Sequence, residues 1–343
     1  MSVPENHRSS AHDQAIHPAA GAAPCRIAAC VDTSAVARDV IAHAVAVAKA
    51  LQAELTLIRV LETRPAGGTP ADPVEWEIRR REAWDSVGRF LEEQTDNITG
   101  IKAQVVEGQA AEQIWMWARD HDVALTVLST HGEDNVKGRT LGKTASLVIN
   151  GAIGSFLLVP RSVAHEPVVH YRRILVPLDG SCRAESVLPL AVKMALAYQG
   201  EIILVHVVPV PELTEVGPLE AEAIELRERL IARNERVARD YLDRVRGRLA
   251  DQGIAVRGLI LRDGDVRRRL ARSVVDEAAD LVVLSAHGRG GHADAPHGNI
   301  AAYQLAHAVT PLLIMNQRPV RTPRHLAAAS ACDRPRLPEQ ASP

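Results

Sequence analysis

IAACVDTS at residues 27–34 and ILVPLDGS at residues 174–181 are one segment written twice, with Asp32 returning 147 residues later as Asp179. The register holds beyond it: Val40, Ile41, Ala44, Val45, Ala48 and Leu51 fall on Val187, Leu188, Ala191, Val192, Ala195 and Tyr198. That spacing is one face of a helix, and a strand follows it in each half, at 54–60 and 201–207. Further on the offset is 156. LTVLSTHG at 125–132 returns as LVVLSAHG at 281–288, and the last strand, 155–160, returns as 311–316. The nine extra residues belong between the second and third strands. There the second half carries a long amphipathic helix with apolar residues at 226, 230, 231, 237, 238, 241, 242, 245 and 249, ended by Gly253. Each half alternates five strands with four helices. The predicted fold class is therefore α/β: two repeats of a five-stranded parallel sheet, Rossmann-like, with right-handed crossovers and helices on both faces.

Length and composition agree with two domains. At 343 residues the chain can bury two cores of ordinary size. With four Trp, four Tyr and two Phe, those cores are built from Ala, Val, Leu and Ile, which suits helices on parallel strands. A net charge of −2 supplies no field to attract nucleic acid or an anionic membrane, and both are disfavoured as partners. Cys25, Cys30, Cys182 and Cys332 form neither a CxxC pair nor a disulfide framework. No apolar run is long enough to span a bilayer, and no signal core is present at the N-terminus. A cytoplasmic location is expected. The expected organisation is a disordered tail at 1–24, a domain at 25–162, a linker at 163–171, a second domain at 172–318 and a disordered tail at 319–343.

Ligands of such sheets bind beyond the carboxyl ends of the strands, at the point where strand order reverses. Three sequence-remote features converge there. One is the end of the first strand, Val31-Asp32-Thr33-Ser34 in the first repeat and Pro177-Leu178-Asp179-Gly180-Ser181 in the second. Its carboxylate is able to accept hydrogen bonds from an adenine amino group or a ribose hydroxyl; its bland reading is a helix cap. The next is the fourth strand's end, Ser129-Thr130-His131-Gly132 and Ser285-Ala286-His287-Gly288, where glycine lets backbone approach a phosphate. The last is Gly142-Lys143-Thr144 and Gly298-Asn299, ten residues on, at the start of a helix whose free amides favour anions.

These residues resemble the universal stress protein family, whose nucleotide-binding members carry G-x-x-G, nine residues, then G-[S/T]. The resemblance covers roughly 25–160 and 172–317. It implies an adenine nucleotide alpha hydrolase-like domain in which Asp32 or Asp179 lies near adenine, Val60 or Val207 contacts it through the backbone, and the glycine loop surrounds ribose and phosphates. It also implies that two domains pair through their last strands, here within one chain as a pseudo-dimer. The expected ligand is ATP or another adenine nucleotide, with or without Mg. This sequence departs from the pattern: Ser129 and Ser285 replace the first glycine, and Lys143 and Asn299 replace the final hydroxyl. Glu133 and Asp134 oppose phosphates, whereas Arg289-Gly290-Gly291 does not; the second repeat is therefore favoured, with Arg289 among its ligand contacts, although Asp294 and Pro296 weigh against it. One site, two or none stay open. A binding protein that signals to an unidentified regulatory partner is expected rather than an enzyme, with slow hydrolysis and further homodimerisation left open. The alternative is a nucleotide-free scaffold.

Rival signals are weaker. Gly142-Lys143-Thr144 suggests a phosphate-loop NTPase, but that motif needs glycine at position 137, which is lysine. His131 and His287 recur without a second repeated ligand; His292 and His297 occur only in the second repeat. Arg267-Arg268-Arg269 reads as a solvated helix face, and Trp76, Trp84, Trp115 and Trp117 as packing residues. No G-x-S-x-G elbow or adenylating HIGH-like motif is present.

Overall fold

The computed structural model describes residues 25–62, 72–93, 100–132, 141–151, 154–161, 166, 168–211, 220–262, 264–288 and 297–316. The first repeat runs β1 (Arg26–Cys30), α1 (Ala37–Leu51), β2 (Glu54–Leu61), α2 (Pro73–Glu93), β3 (Lys102–Glu107), α3 (Ala110–Asp120), β4 (Leu125–Ser129), α4 (Lys143–Gly151) and β5 (Ser155–Val159). The second runs β6 (Arg173–Pro177), α5 (Cys182–Glu185), α6 (Leu188–Tyr198), β7 (Glu201–Val208), α7 (Ala221–Ala250), β8 (Ala255–Arg262), α8 (Val266–Asp276), β9 (Leu281–Ser285), α9 (Asn299–Ala306) and β10 (Leu312–Met315). The tails, Cys332, His292 and the loop residues Glu133, Asp134, Arg289, Gly290, Gly291, Asp294 and Pro296 lie outside the described residues.

All ten strands belong to one sheet in the order β3-β2-β1-β4-β5-β10-β9-β6-β7-β8. Within each repeat every neighbour is parallel. Only the join is antiparallel: Phe156 of β5 stands opposite Ile314 of β10, and Leu158 opposite Leu312. The central strands are continuous apolar runs because both faces are covered; β5 is buried at every position. One face is packed by α1, α2, α6 and α7 through residues such as Val45, Val87, Val192 and Leu242 in a single apolar cluster. The other carries α3, α4, α8 and α9 through Ile114, Val148, Leu270 and Ala301. The pseudo-dimer expected from the sequence is therefore the architecture of this chain. Helices α1 and α6 pack on each other over the join, which explains why α1 is buried from Val40 through Ala48 rather than along one stripe.

The repeats differ in two places. Among the described residues, the one-turn α5 has no helical counterpart in the first repeat. Helix α7 is 30 residues long against 21 for α2, and Gly253, at φ +77° in the turn behind it, ends it as expected. Its buried stripe is Ile231, Glu235, Ala238, Leu242, Val245 and Leu249. Leu226 and Val237, expected on the apolar face, are instead 51% and 54% exposed. No buried residue of α7 precedes Ile231, which accounts for Leu226, whereas Val237 stands beside the buried stripe, between Glu235 and Ala238, rather than on it. The tryptophans are packing residues of the surface rather than the core. Trp115 of α3 packs against α4, donating to the Val148 carbonyl at 3.1 Å, and Trp84 is 42% exposed.

Candidate functional site

The first strand of each repeat ends on a carboxylate that builds its own turn. Asp32 Oδ1 accepts from the Ser34 backbone N–H at 3.0 Å and from the Ser34 hydroxyl at 2.5 Å. Asp179 Oδ1 accepts from the Ser181 N–H at 2.9 Å. The helix cap in the second repeat is Ser181, whose Oγ accepts from Ala184 N–H at 3.1 Å; Asp179 is not the cap. Thr33 and Gly180 are exposed beside these turns, and Gly180 takes a left-handed φ of +79°.

The second oxygen of each carboxylate faces the glycine that ends the fourth strand. A side chain on Gly132 would put its Cβ 3.0 Å from Asp32 Oδ2, and one on Gly288 would collide with Asp179 Oδ2. The third feature is tied to the second by a backbone bond: Gly142 N–H donates to the Thr130 carbonyl at 2.8 Å, and Gly298 N–H to the Ala286 carbonyl at 2.7 Å. In each repeat, therefore, three segments remote in sequence form one cradle. The serines that replace the first motif glycine brace it, since Ser129 Oγ donates to the His131 carbonyl and Ser285 Oγ to the His287 carbonyl, both at 2.8 Å.

Gly142 and Gly298 open α4 and α9. The first backward helical bonds reach them from Ser146 and Ala302, so the N–H groups of the three residues between have no partner within the helix. Lys143 and Thr144 are exposed at one such end, Asn299 at the other. Asn299 is not simply available to a ligand: its Oδ1 accepts from Arg267 at 3.3 Å. Arg267, read from sequence as solvated, is held by Asp265 and lies over the Tyr303 ring, 5.6 Å from its centroid. Asp265 is pulled down to about 2 by those Arg267 bonds.

Val31 and Leu178 are buried, and each N–H makes a last ladder bond, to Ile58 and Val205 respectively, while Pro177 closes β6. By strand alternation Val60 and Val207, two residues further, turn their backbone groups the same way, past the ends of β1 and β6.

The second cradle has a wall the sequence reading missed. His206 Nδ1 lies 2.8 Å from the Leu178 carbonyl, with the Tyr241 ring 6.3 Å from the imidazole. Tyr241 OH donates to Glu185 Oε1 at 3.0 Å, and Arg248 donates to Glu185 Oε2 at 2.6 Å. Burial, then the Glu185 carboxylate and more weakly Asp179, push the Tyr241 phenol well above its usual range. A signal for this wall exists in the repeat. Glu185 falls on Arg38 at the 147 offset, and Arg38 pairs with Glu93 at 3.0 Å. His131 Nδ1 sits 2.9 Å from Thr130 Oγ1. The Nε2 atoms of His131 and His297 are buried without a hydrogen-bond partner.

Among the described residues, no three His, Cys, Asp or Glu side chains are placed to hold a metal, and no helix is long and apolar enough to cross a membrane. The arrangement offers a carboxylate, close-approach glycines and open helix amides at one strand-end crevice, which suits binding of a ligand with both hydrogen-bond donors and anionic groups.

Comparison with known proteins identifies the family and the fold. The universal stress protein family profile matches residues 25–160 and again 170–316. A universal stress protein of Mycobacterium tuberculosis is 24% identical over 197 residues, 57% of this chain and 62% of that protein, so the match spans less than two thirds of that relative. One from Methanocaldococcus jannaschii is 30% identical over 139 residues, 38% of this chain and 78% of that protein. The solved structure of a universal stress protein from Archaeoglobus fulgidus superposes with a TM-score of 0.59 at 17% identity, covering 85% of this chain and 96% of that one. A Pseudomonas aeruginosa protein described as functionally unknown gives 0.60 at 16%, covering 86% and 93%. With its profile matched twice and its fold shared over most of its length, the chain belongs to the universal stress protein family.

Proposed function

We propose that this protein binds an adenine nucleotide such as ATP in the cradle of its second repeat, and that occupancy there is read by a regulatory protein partner. The observation that carries the reading is the approach of Gly288 to Asp179, where a side chain would displace the carboxylate, beside the open amides of α9. Asp179 takes the adenine or ribose donors, the Val207 backbone lies along the base, and Gly288 with Gly298 admits ribose and phosphates. Mg, where present, travels with the phosphates. The role is binding rather than turnover, exercised in the cytoplasm. The Arg267 contact on Asn299 favours a second reading, a nucleotide-free scaffold, because it engages the group that stands in place of the motif's hydroxyl.

The test is to denature freshly purified protein, identify released nucleotide by chromatography, and titrate ATP into the stripped protein by calorimetry. One equivalent bound, and weakened in Asp179→Ala but not in Asp32→Ala, supports the second-repeat site. No released nucleotide and no heat at millimolar ATP establishes the scaffold.

A further inference from the structure

Two buried histidines break the repeat. His43 on α1 stands where the second repeat has Leu190, and His297, just before α9, stands where the first repeat has Leu141. They are 4% and 9% exposed. Both reach across the join. His43 Nδ1 lies 2.7 Å from the hydroxyl of Tyr171, a wholly buried residue of the segment leading into β6. Tyr198 of α6, edge-on to Tyr171 at 5.8 Å, donates to the Ala46 carbonyl of α1 at 2.7 Å. From the other side, the His297 ring meets Phe156 of β5 edge-on at 5.6 Å. Each titratable replacement of a leucine thus sits on a contact between the two halves.

Among the described residues, neither ring is hydrogen-bonded or ion-paired to a carboxylate. His43 lines a cleft of about 250 Å³ whose other polar walls are Glu166, His170, Tyr171, Asp280 and Thr310; Asp39 lies one turn earlier on its own helix. Asp280 is occupied, accepting from the backbone N–H groups of Arg172 and Arg173 at 2.8–3.1 Å. His297 faces the apolar edge of Phe156, and the titratable neighbour acting on it is another imidazole, His287.

We propose that the join between the repeats is a proton-sensitive joint, loosened in mild acid when His43 and His297 take up protons, ahead of the outer strands of either repeat. A leucine pair would hold the same surfaces together at any pH. The histidines hold them best while neutral, because an imidazolium there is buried, and no carboxylate of the described residues is bonded to either ring. Burial holds both rings down to about 4 from an ordinary 6.5, with His287 adding to the effect on His297. An opened joint protonates at the ordinary value, so falling pH favours opening between those limits.

The experiment follows hydrogen exchange by mass spectrometry on the full chain as pH is lowered from about 7 to about 4.5, with intrinsic rates corrected. In wild type, peptides covering β5, β10 and residues 168–178 lose protection by up to about tenfold per pH unit for each ring below the ordinary histidine value, before peptides covering β3 and β8 change. His297→Leu imports the other repeat's residue, and His43→Gln keeps a partner for Tyr171 without a titrating group. The double variant abolishes the early loss at the join. Loss of protection at join and outer strands at one common pH overturns the proposal, as does a double variant that tracks wild type. Should His43→Gln fail to fold, His297→Leu alone must still reduce the early loss, and no reduction is equally fatal.

Discussion

Residue for residue, the two cradles are similar enough to be compared and different enough to be tested. Replacing Asp179 with Ala removes one half-buried acceptor and is expected to weaken ATP binding by about 1–3 kcal/mol while leaving the thermal transition in place; calorimetry on stripped protein checks it. Gly288→Ala is expected to weaken binding, because its methyl collides with Asp179 Oδ2 and displaces that carboxylate, whereas Gly247→Ala, with open space around it, leaves affinity unchanged. Asp32, Asp179 and the paired glycines were legible in the sequence because the repeat aligns each with its twin. The Tyr241–Glu185–Arg248 wall was not, since it joins residues 56 and 63 positions apart whose charges are reversed in the twin bridge, Arg38 with Glu93. The buried histidines add a pH dependence whose sign is set. Their folded values are lowered to about 4, so the unfolded chain binds protons first as pH drops below 6.5. Stability is full above that value and declines toward 4, by up to about 1.4 kcal/mol per pH unit for each ring. Urea midpoints measured across that window should show the decline, and His297→Leu should flatten part of it.

Elements explain where hydrophobic periodicity misleads. In α7 the apolar pattern is wider than the buried stripe: Leu226 precedes its first buried residue, Ile231, and Val237 stands beside it, so neither has a surface to pack on. Leu226→Lys and Val237→Lys are each expected to change stability by no more than about 0.5 kcal/mol. Arg262→Ala, by contrast, strands the 4%-exposed carboxylate of Glu235, its partner on the buried stripe, and is expected to cost about 1–3 kcal/mol. Chemical denaturation separates these outcomes. Helices α1 and α6 share another device: both end on a glutamine, Gln52 at φ 52° and Gln199 at φ 50°. A side chain in the left-handed region is strained, so Gln52→Gly and Gln199→Gly should each stabilise the fold by about 1 kcal/mol. Helix existence was readable from spacing, but these ends were not, because glutamine gives no stop signal.

At the scale of the whole molecule, the continuous sheet makes each repeat the cover for the other's edge strand. β5 and β10 are buried along nearly their whole length, which is not how a free edge survives in water. The second repeat expressed alone is expected to self-associate through β10, and Leu313→Lys to prevent that association, as sedimentation would show. The pairing of last strands follows from the family resemblance, whereas the internal repeat by itself says only that two similar halves exist. The antiparallel seam has one more consequence. Strands that run one way in the first half run the opposite way in the second, so the two cradles look out from opposite rims of the same slab. Between those two rims lies the join, where the two odd histidines stand.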